Sequence, residues 1–272
     1  LQGATVVVAN DRYENEKAKT TTDAEGKFEL AGFPRYKKSM IVRYPGYAPS
    51  FVNIVDPEHS TVPFQIKLSK PSTLEGVVVD PEGKPIARAS IEAEQWHESR
   101  ALDWKTTTDA QGRFVWKEAP SDELQINVSA RGKGRISGYK ITAGGEPSKL
   151  VLYPPVQVAG SVIDAETRQP IAEFRIKHGI RWTGQDDVTW QSMDNRTLTN
   201  GKYDATLDNI SNGGRLMVEA DGYDPMTSRM IMSSEGKITL DFELKKHVAA
   251  GPTTSGTSVP SWISGFFGGK RE

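Results

Sequence analysis

One turn sequence recurs along the chain and limits what it can fold into. The motif Thr-Thr-Thr-Asp-Ala-x-Gly-x-Phe occupies 20–28 and, 86 residues further on, 106–114, and a reduced third copy, Thr-Asn-Gly-Lys-Tyr, occupies 199–203. Asp at the first position of a type I turn, with a Gly that tolerates positive φ at the fourth, is typical of a tight link between strands. A hairpin turn repeated at this interval predicts an array of domains rather than one continuous fold of 272 residues.

The segments between these turns have the pattern of β-strands. Apolar residues alternate or form short β-branched runs, as in 5–8, 74–79 and 156–163, and each run is bounded by Gly, Pro, Asn or Asp. No stretch of about twelve residues combines a helical apolar period with caps. We therefore predict an all-β chain of three tandem Greek-key β-sandwiches followed by a disordered C-terminal tail.

Proline segments and changes in composition predict where the units begin and end. Proline-containing links near Pro71 and at 153–155 mark the boundaries, and Pro-Ile-Ala occurs at the same place in two units. The predicted divisions are 1–70, 71–153, 154–247 and a flexible tail at 248–272. In the first unit, the residues from Ala4 correspond to the strand that follows the first proline turn of the other units. We therefore expect its opening strand to be missing and further domains to be attached upstream of Leu1. The apolar tip Trp262–Phe267 is an unstructured end, a docking peptide or a membrane-surface contact.

Composition excludes several classes of function. The 34 Lys and Arg nearly cancel the 35 Asp and Glu, and no basic block is interleaved with aromatic residues, so we expect no nucleic-acid partner. The chain has no cysteine, which rules out disulfides, zinc–thiolate sites and cysteine nucleophiles. No apolar run approaches the roughly 18 residues of a transmembrane segment.

The second unit carries the residues of a known family. Its motif positions resemble those of the carboxypeptidase regulatory-like family, and some of them recur in the other two units. The motif residues are Gly76, Val78, Asp80, Gly83, Pro85, Ala89, Ile91, Thr108, Asp109, Gly112 and Phe114. The resemblance implies small transthyretin-like β-sandwiches and noncatalytic modules attached to peptidases, surface proteins or receptor barrels. It also implies an extracytoplasmic location, which can be periplasmic, cell-surface or secreted.

The sequence contains no recognisable catalytic or metal-binding constellation. None of the four histidines begins the His-x-x-Glu pattern of a zinc carboxypeptidase, and no nucleophile elbow is present, so we expect no enzyme activity, metal or cofactor. The Asp23 turn has too few oxygens for calcium. The acidic loop around Asp186 and Asp187, with Asp194, is either a solvated loop or a cation site.

Tryptophans supply the best candidate ligand surface. Trp96 and Trp104 flank the long hairpin of the second unit, and Trp182 and Trp190 flank the equivalent hairpin of the third. Strand parity places Trp96 on the side of Glu92 and Glu94, away from the core. An exposed pair could stack on a sugar ring or anchor a protein partner. The alternative is that the tryptophans stiffen the hairpins or pack against a neighbouring domain.

These patterns favour a noncatalytic spacer and binding array in a larger extracytoplasmic bacterial protein. One alternative is a carbohydrate-binding array that uses the tryptophan hairpins. The other is a set of accessory regulatory domains for an enzyme outside this chain. The turn-plus-tyrosine pairs, Gly46-Tyr47 and Gly222-Tyr223, are predicted to be structural, with each hydroxyl bonded to backbone.

Overall fold

The regular structure of the protein is almost entirely β-strand. The computed structural model describes residues 1–8, 19–30, 39–53, 65–100, 102–191 and 197–247. Across these ranges the only helical element is a single 3-10 turn at Ser233–Glu235. The all-β prediction is therefore confirmed. The predicted tail lies outside the described residues, and the division into three domains at 70 and 153 stays a prediction.

The first unit contributes one antiparallel sheet in the order β2-β1-β3-β4. Its strands are β1 (Thr5–Val8), β2 (Lys19–Thr21), β3 (Ser39–Arg43) and β4 (Ser50–Asn53). Side chains alternate between its two faces. Val6 and Val42 lie opposite each other and belong to an apolar cluster of this unit. Ile41, one position along, belongs instead to the apolar cluster of the second unit.

The second unit is a sandwich of two sheets with a shared apolar core. Its strands are β5 (Ser72–Val79), β6 (Ser90–Gln95), β7 (Lys105–Thr107), β8 (Arg113–Ala119), β9 (Glu123–Ser129), β10 (Ile136–Thr142) and β11 (Ser148–Val151). One sheet has the order β10-β9-β6-β7 and the other β11-β5-β8. Alternating side chains such as Leu74, Ile91 and Ile126 fill the core between them.

The third unit also contains two sheets. Its strands are β12 (Val156–Asp164), β13 (Glu173–Ile180), β14 (Thr189–Trp190), β15 (Thr197–Thr199), β16 (Lys202–Leu207), β17 (Gly214–Glu219), β18 (Met226–Thr227), β19 (Lys237–Thr239) and β20 (Phe242–Leu244). β12 pairs with β16, β19 and β20 in one sheet, while β13 is central in the other. In each sandwich the opening strand, β5 or β12, lies at the centre of its sheet.

The repeated turns have the geometry that their sequence predicts. The Asp109 carboxylate accepts the amides of Gln111 and Arg113, and Gly112 closes the turn with φ +73°. The first copy forms the same turn at Asp23, with Gly26 at φ +79°. In each turn the Asp carboxylate therefore accepts backbone amides of its own turn, so local residues specify the turn geometry.

A glycine in each opening strand lets a neighbouring aromatic ring approach the backbone. A Cβ added at Gly160 would stand 1.8 Å from the Leu240 carbonyl oxygen and 2.9 Å from Tyr203 Cε1. The Tyr203 hydroxyl also donates to Leu240 O at 2.6 Å, and burial raises the pKa of this hydroxyl. The third unit is therefore closed by an aromatic side chain that packs on bare backbone.

We expect Gly160→Ala to destabilise the protein by about 2–3 kcal/mol because the added methyl group forces backbone apart in a packed sheet. Urea unfolding followed by tryptophan fluorescence measures this change. Gly145→Ala is the matched control, since a Cβ at Gly145 meets no heavy atom within 4 Å. Equal stability of the two variants would contradict this account of the opening strand.

Candidate functional site

Trp96 lies in the core rather than on the exposed side of its hairpin. Its side chain is 4% exposed, and Nε1 donates to Asp122 Oδ1 at 2.8 Å. Strand alternation predicted that Trp96 faces away from the core. That prediction is wrong because the pairing of β6 with β9 shifts register between Ala93 and Gln95. Such a bulge adds one residue to the strand and turns every later side chain to the opposite face.

Trp104 forms a different aromatic pair. Its ring stacks on Trp116, with centroids 4.4 Å apart and an interplanar angle of 10°. Trp96 instead contacts Phe51 of the first unit and His97, at 5.8 and 4.9 Å. The two tryptophans that flank the hairpin therefore have different aromatic partners, although both pack in the apolar cluster of the second unit. Trp116 was missed at the sequence level, although it lies on the same strand face as the motif residue Phe114.

The tryptophans of the third unit are half-buried at their hairpin. Trp190 lies opposite Gly179 on β13, and a Cβ added at Gly179 would stand 2.9 Å from Trp190 Cζ3. The ring thus lies close over a strand backbone, which accounts for the glycine there. Trp182 lies just after β13, at the start of the turn that leads towards β14, and its carbonyl accepts the Gln185 amide at 3.1 Å. Whether either ring contacts a ligand stays a prediction.

An aromatic groove lies where the first and second units meet. It has a volume of about 330 Å³, and we call it the junction groove. Its lining residues are Thr5, Arg43, Tyr44, Pro45, Tyr47, Pro49, Leu102, Asp103, Trp104, Trp116 and Glu118. Four aromatic rings, two carboxylates and a guanidinium therefore face one concave surface. Of the four candidate tryptophans, the groove contains only Trp104.

Contacts between the two units hold the walls of the junction groove in place. Glu118 Oε1 accepts the Gly46 amide of the first unit at 2.7 Å. The Tyr44 and Tyr47 rings pack at 5.9 Å with a 60° tilt. The wall of the first unit is thus the Gly-Tyr turn that the sequence marks as structural. Flat aromatic faces beside carboxylates are suited to sugar rings or to proline-rich and aromatic peptide segments.

The second and third units meet through hydrogen bonds. Ser137 Oγ donates to Asn209 Oδ1 at 2.8 Å, and Thr183 Oγ1 donates to Gly138 O at 2.8 Å. Asn212 Nδ2 in turn donates to Thr183 Oγ1 at 2.9 Å. A cleft of about 250 Å³ lies beside these contacts. These two units are therefore joined by a polar network, whereas the first two are joined by apolar and aromatic contacts together with the Gly46–Glu118 hydrogen bond.

The acidic loop of the third unit is held by its own neighbours. Asp187 Oδ1 accepts the Val188 amide at 2.8 Å and lies 3.5 Å from Arg215 Nε. Asp194 falls outside the described residues. In the part of the chain that the structure describes, no three His, Cys, Asp or Glu residues converge as metal ligands. The same residues include no helix with the length and apolar character needed to cross a bilayer.

A buried carboxylate is found at the turn that follows β12. Asp164 is 4% exposed and accepts the amides of Thr167 and Glu166, both at 2.8 Å. The hydrogen bond from the Thr167 amide has the largest effect on its pKa and lowers it, and burial, the next largest, raises it. The Tyr223 hydroxyl, the Glu166 amide and the Lys246 charge lower it further, so that the pKa is about 2. Tyr223 Oη donates to Asp164 Oδ2 at 2.9 Å. The Tyr223 hydroxyl is therefore bonded to a carboxylate, whereas the sequence-based prediction was a bond to backbone.

The comparison with protein families concerns the second unit. Residues 73–150 match the model of the carboxypeptidase regulatory-like domain. The family resemblance inferred from the motif residues is thereby confirmed for residues 73–150, which run from the second residue of β5 into β11. The name describes a regulatory-like module, and no curated protein matches the chain.

Solved structures offer distant likenesses. A streptococcal ancillary pilin is 12% identical, with 91% of this chain and 92% of that chain covered and a TM-score of 0.37. The minor pilin GBS52 of Streptococcus agalactiae is 12% identical over 66% and 98% of the two chains, with a TM-score of 0.33. The Bacillus anthracis TIE protein is 20% identical over 90% and 48%, with a TM-score of 0.26. These likenesses are too distant to transfer an activity or a partner.

Because the pKa of Asp164 is lowered on folding, the stability of the protein is expected to depend on pH. Its pKa is lowered from 3.8 to about 2 in the folded protein, so its stabilising effect is complete above the unfolded pKa and disappears as pH falls through about 2. We expect the difference in unfolding free energy between the natural protein and Asp164→Asn to be constant above pH ~5 and to shrink between pH ~4 and ~2. Thermal unfolding across this range measures it. A difference independent of pH would contradict the assignment.

Proposed function

We propose that the chain is a noncatalytic structural and binding segment of a larger extracytoplasmic bacterial protein, in which its units act as a stiff spacer. The observation that carries the proposal is that consecutive units dock through specific contacts at both junctions. Ile41 of the first unit lies at 0% exposure in the apolar cluster of the second. The second and third units are joined through Ser137 and Thr183. Units that bury surface against each other resist bending, as a spacer requires.

The chemistry of the described residues supports a noncatalytic role. The buried carboxylate Asp164 is committed to two backbone amides and a tyrosine hydroxyl, so it has no free proton-transfer role. The matched domain is named regulatory-like and not catalytic. The extracytoplasmic location and the attached upstream domains rest on the family resemblance. A role as accessory domains of an enzyme is the alternative that the full-length sequence would decide.

The spacer proposal predicts how the junctions respond to mutation. The chain has no cysteine, so Lys19→Cys and Lys237→Cys place spin labels in the first and third units without background. We expect a narrow distance distribution by pulsed electron paramagnetic resonance. Phe51→Ala, which removes the ring against Trp96, and Thr183→Ala, which breaks the polar network, should each broaden it.

Thr206→Ala serves as the control, because the Thr206 hydroxyl contacts Gln157 within the third unit and neither junction. Each unlabelled variant is first checked for folding by circular dichroism. A broad distribution in the unmutated chain, insensitive to Phe51→Ala and Thr183→Ala, would show units that move independently and would refute the stiff spacer.

Carbohydrate binding is the second candidate, and the junction groove is the observation that favours it. Trp104, Tyr44 and Tyr47 offer aromatic faces, and Asp103 and Glu118 offer acceptors for sugar hydroxyl groups. Ligand contact at Trp182 and Trp190 remains part of this proposal. Trp96 is the weakest of the four predicted contacts because its ring is buried and its Nε1 is already bonded to Asp122.

If this candidate is correct, glycans retained by the unmutated chain on an array should bind Trp104→Ala with affinity lower by about tenfold or more, since a stacked aromatic anchor is lost. Tyr47→Ala should act in the same direction without disturbing the Trp104–Trp116 stack. Tyr139→Ala removes an exposed aromatic ring outside the groove and is the control. Absence of glycan binding, or an equal loss in Tyr139→Ala, would exclude the groove as the sugar site.

A further inference from the structure

The loop between β9 and β10 carries three cationic side chains separated by single glycines. Its sequence from 131 to 135 is Arg-Gly-Lys-Gly-Arg. Between Glu123 and Glu146 the chain contains these three cations and Lys140 but no acidic residue, whereas the whole chain has a net charge of -1. Positive charge is therefore concentrated here in a chain that is nearly neutral as a whole.

The two glycines of this loop are explained by backbone geometry. Gly132 has φ +73° in the turn 130–133, which a backbone hydrogen bond of 3.1 Å closes. The Gly134 amide donates to Tyr153 O at 2.8 Å. A Cβ added at Gly134 would stand 3.1 Å from Asp208 O, so a larger residue would push the loop away from the third unit. The loop is therefore held in place against the junction of the second and third units.

The fold does not use the charges of the loop in the same way. In the part of the chain that the structure describes, four cations near this junction have no carboxylate within ion-pair distance. They are Arg131, Lys133, Arg135 and Lys149. Lys140, by contrast, pairs with Glu123 at 2.8 Å. Both arginines and Lys149 are exposed, so their charges are available to a binding partner.

Two of these cations line a cleft where the edge strands of the two sheets come together. β10 and β11 are edge strands, since the sheets have the orders β10-β9-β6-β7 and β11-β5-β8. Residues of both strands line the cleft of about 250 Å³ beside the junction, and we call it the edge cleft. Arg135 and Lys149 are among its lining residues. Asp208 is the single acidic residue among the described residues that line it.

The strand β10 also offers an open backbone edge at this cleft. Its residues 139–142 pair with β9 along one side, from Tyr139 opposite Ile126 to Thr142 opposite Glu123. Within the described ranges of the chain, no strand pairs with their other side. An edge of this kind can accept an extended segment, which adds to the sheet through main-chain hydrogen bonds.

We propose that the edge cleft binds an extended acidic segment of a partner protein, which pairs with residues 139–142 while its carboxylates pair with Arg135 and Lys149. The positive charge selects an acidic partner over a basic or neutral one. The open backbone edge favours a polypeptide over an acidic sugar, because a polypeptide supplies the amides and carbonyls of a strand. Arg131 and Lys133 extend the positive surface beyond the cleft and attract the segment as it approaches.

The experiment measures how the whole chain binds a synthetic peptide that alternates glutamate and threonine, by fluorescence anisotropy. We expect binding that weakens as salt is added, because the contacts are between exposed charges. The double variant Arg135→Gln with Lys149→Gln should bind about tenfold more weakly or worse, since both charge contacts are lost.

The matched control is Lys105→Gln with Lys117→Gln. It removes the same charge from exposed positions of the second unit that do not line the cleft, so its affinity should stay within about twofold of the unmutated chain. Circular dichroism first establishes that both double variants are folded.

Two further measurements test the pairing with β10. Hydrogen exchange of residues 139–142 should slow by about tenfold when the peptide is bound, because a new strand protects their amides. A peptide that alternates glutamate and proline has the same charge, but its prolines donate no main-chain hydrogen bonds. It should therefore bind about tenfold more weakly and give no protection.

Three results would overturn the proposal. One is no binding of the glutamate–threonine peptide, or equal affinity in the two double variants. Another is equal binding of the proline peptide without protection of residues 139–142, which would reduce the surface to a general attraction for anions. The third is binding of polygalacturonate in place of the peptide, lost in Arg135→Gln with Lys149→Gln, which would assign the cleft to an acidic sugar. None of these readouts depends on the junction groove or on the distances between spin labels.

Discussion

In the second and third units, an aromatic ring packs on a glycine of the opening strand, and the rest of the unit depends on this contact. Phe114 lies over Gly76 in the second unit, and Tyr203 lies over Gly160 in the third. The contact holds the opening strand between two neighbours, so the second sheet closes over the core.

The junctions then decide what a chain of such sandwiches can do. The sheet of the first unit presents Ile41 and Phe51 to the second unit, so one face serves its own cluster and the other serves its neighbour. The next junction relies on hydrogen bonds around Thr183. The first junction also has a hydrogen bond, from the Gly46 amide to Glu118 Oε1, beside its apolar contacts. Both junctions therefore include directional contacts, and the aromatic groove lies where the first pair of units docks.

Much of the fold could be predicted because it depends on local chemistry. The Asp109 turn satisfies its own amides, and the alternation of Phe114, Val115 and Trp116 separates buried from exposed side chains within one strand. The arrangement of the candidate site residues could not be predicted from local chemistry in the same way. A one-residue shift between Ala93 and Gln95 put Trp96 in the core, and nothing in the sequence of β6 signals that shift, because the shift is set by pairing with β9.

The sequence by itself determined the turns, the all-β class and the family of residues 73–150, since these follow from backbone conformations that individual residues prefer. Only the tertiary structure decided that Trp104 stacks on Trp116 and meets Tyr44 and Tyr47 across a junction. Those partners are far apart in the chain, and their contact depends on how whole units pack. A single sequence without related ones does not encode that choice in any local pattern.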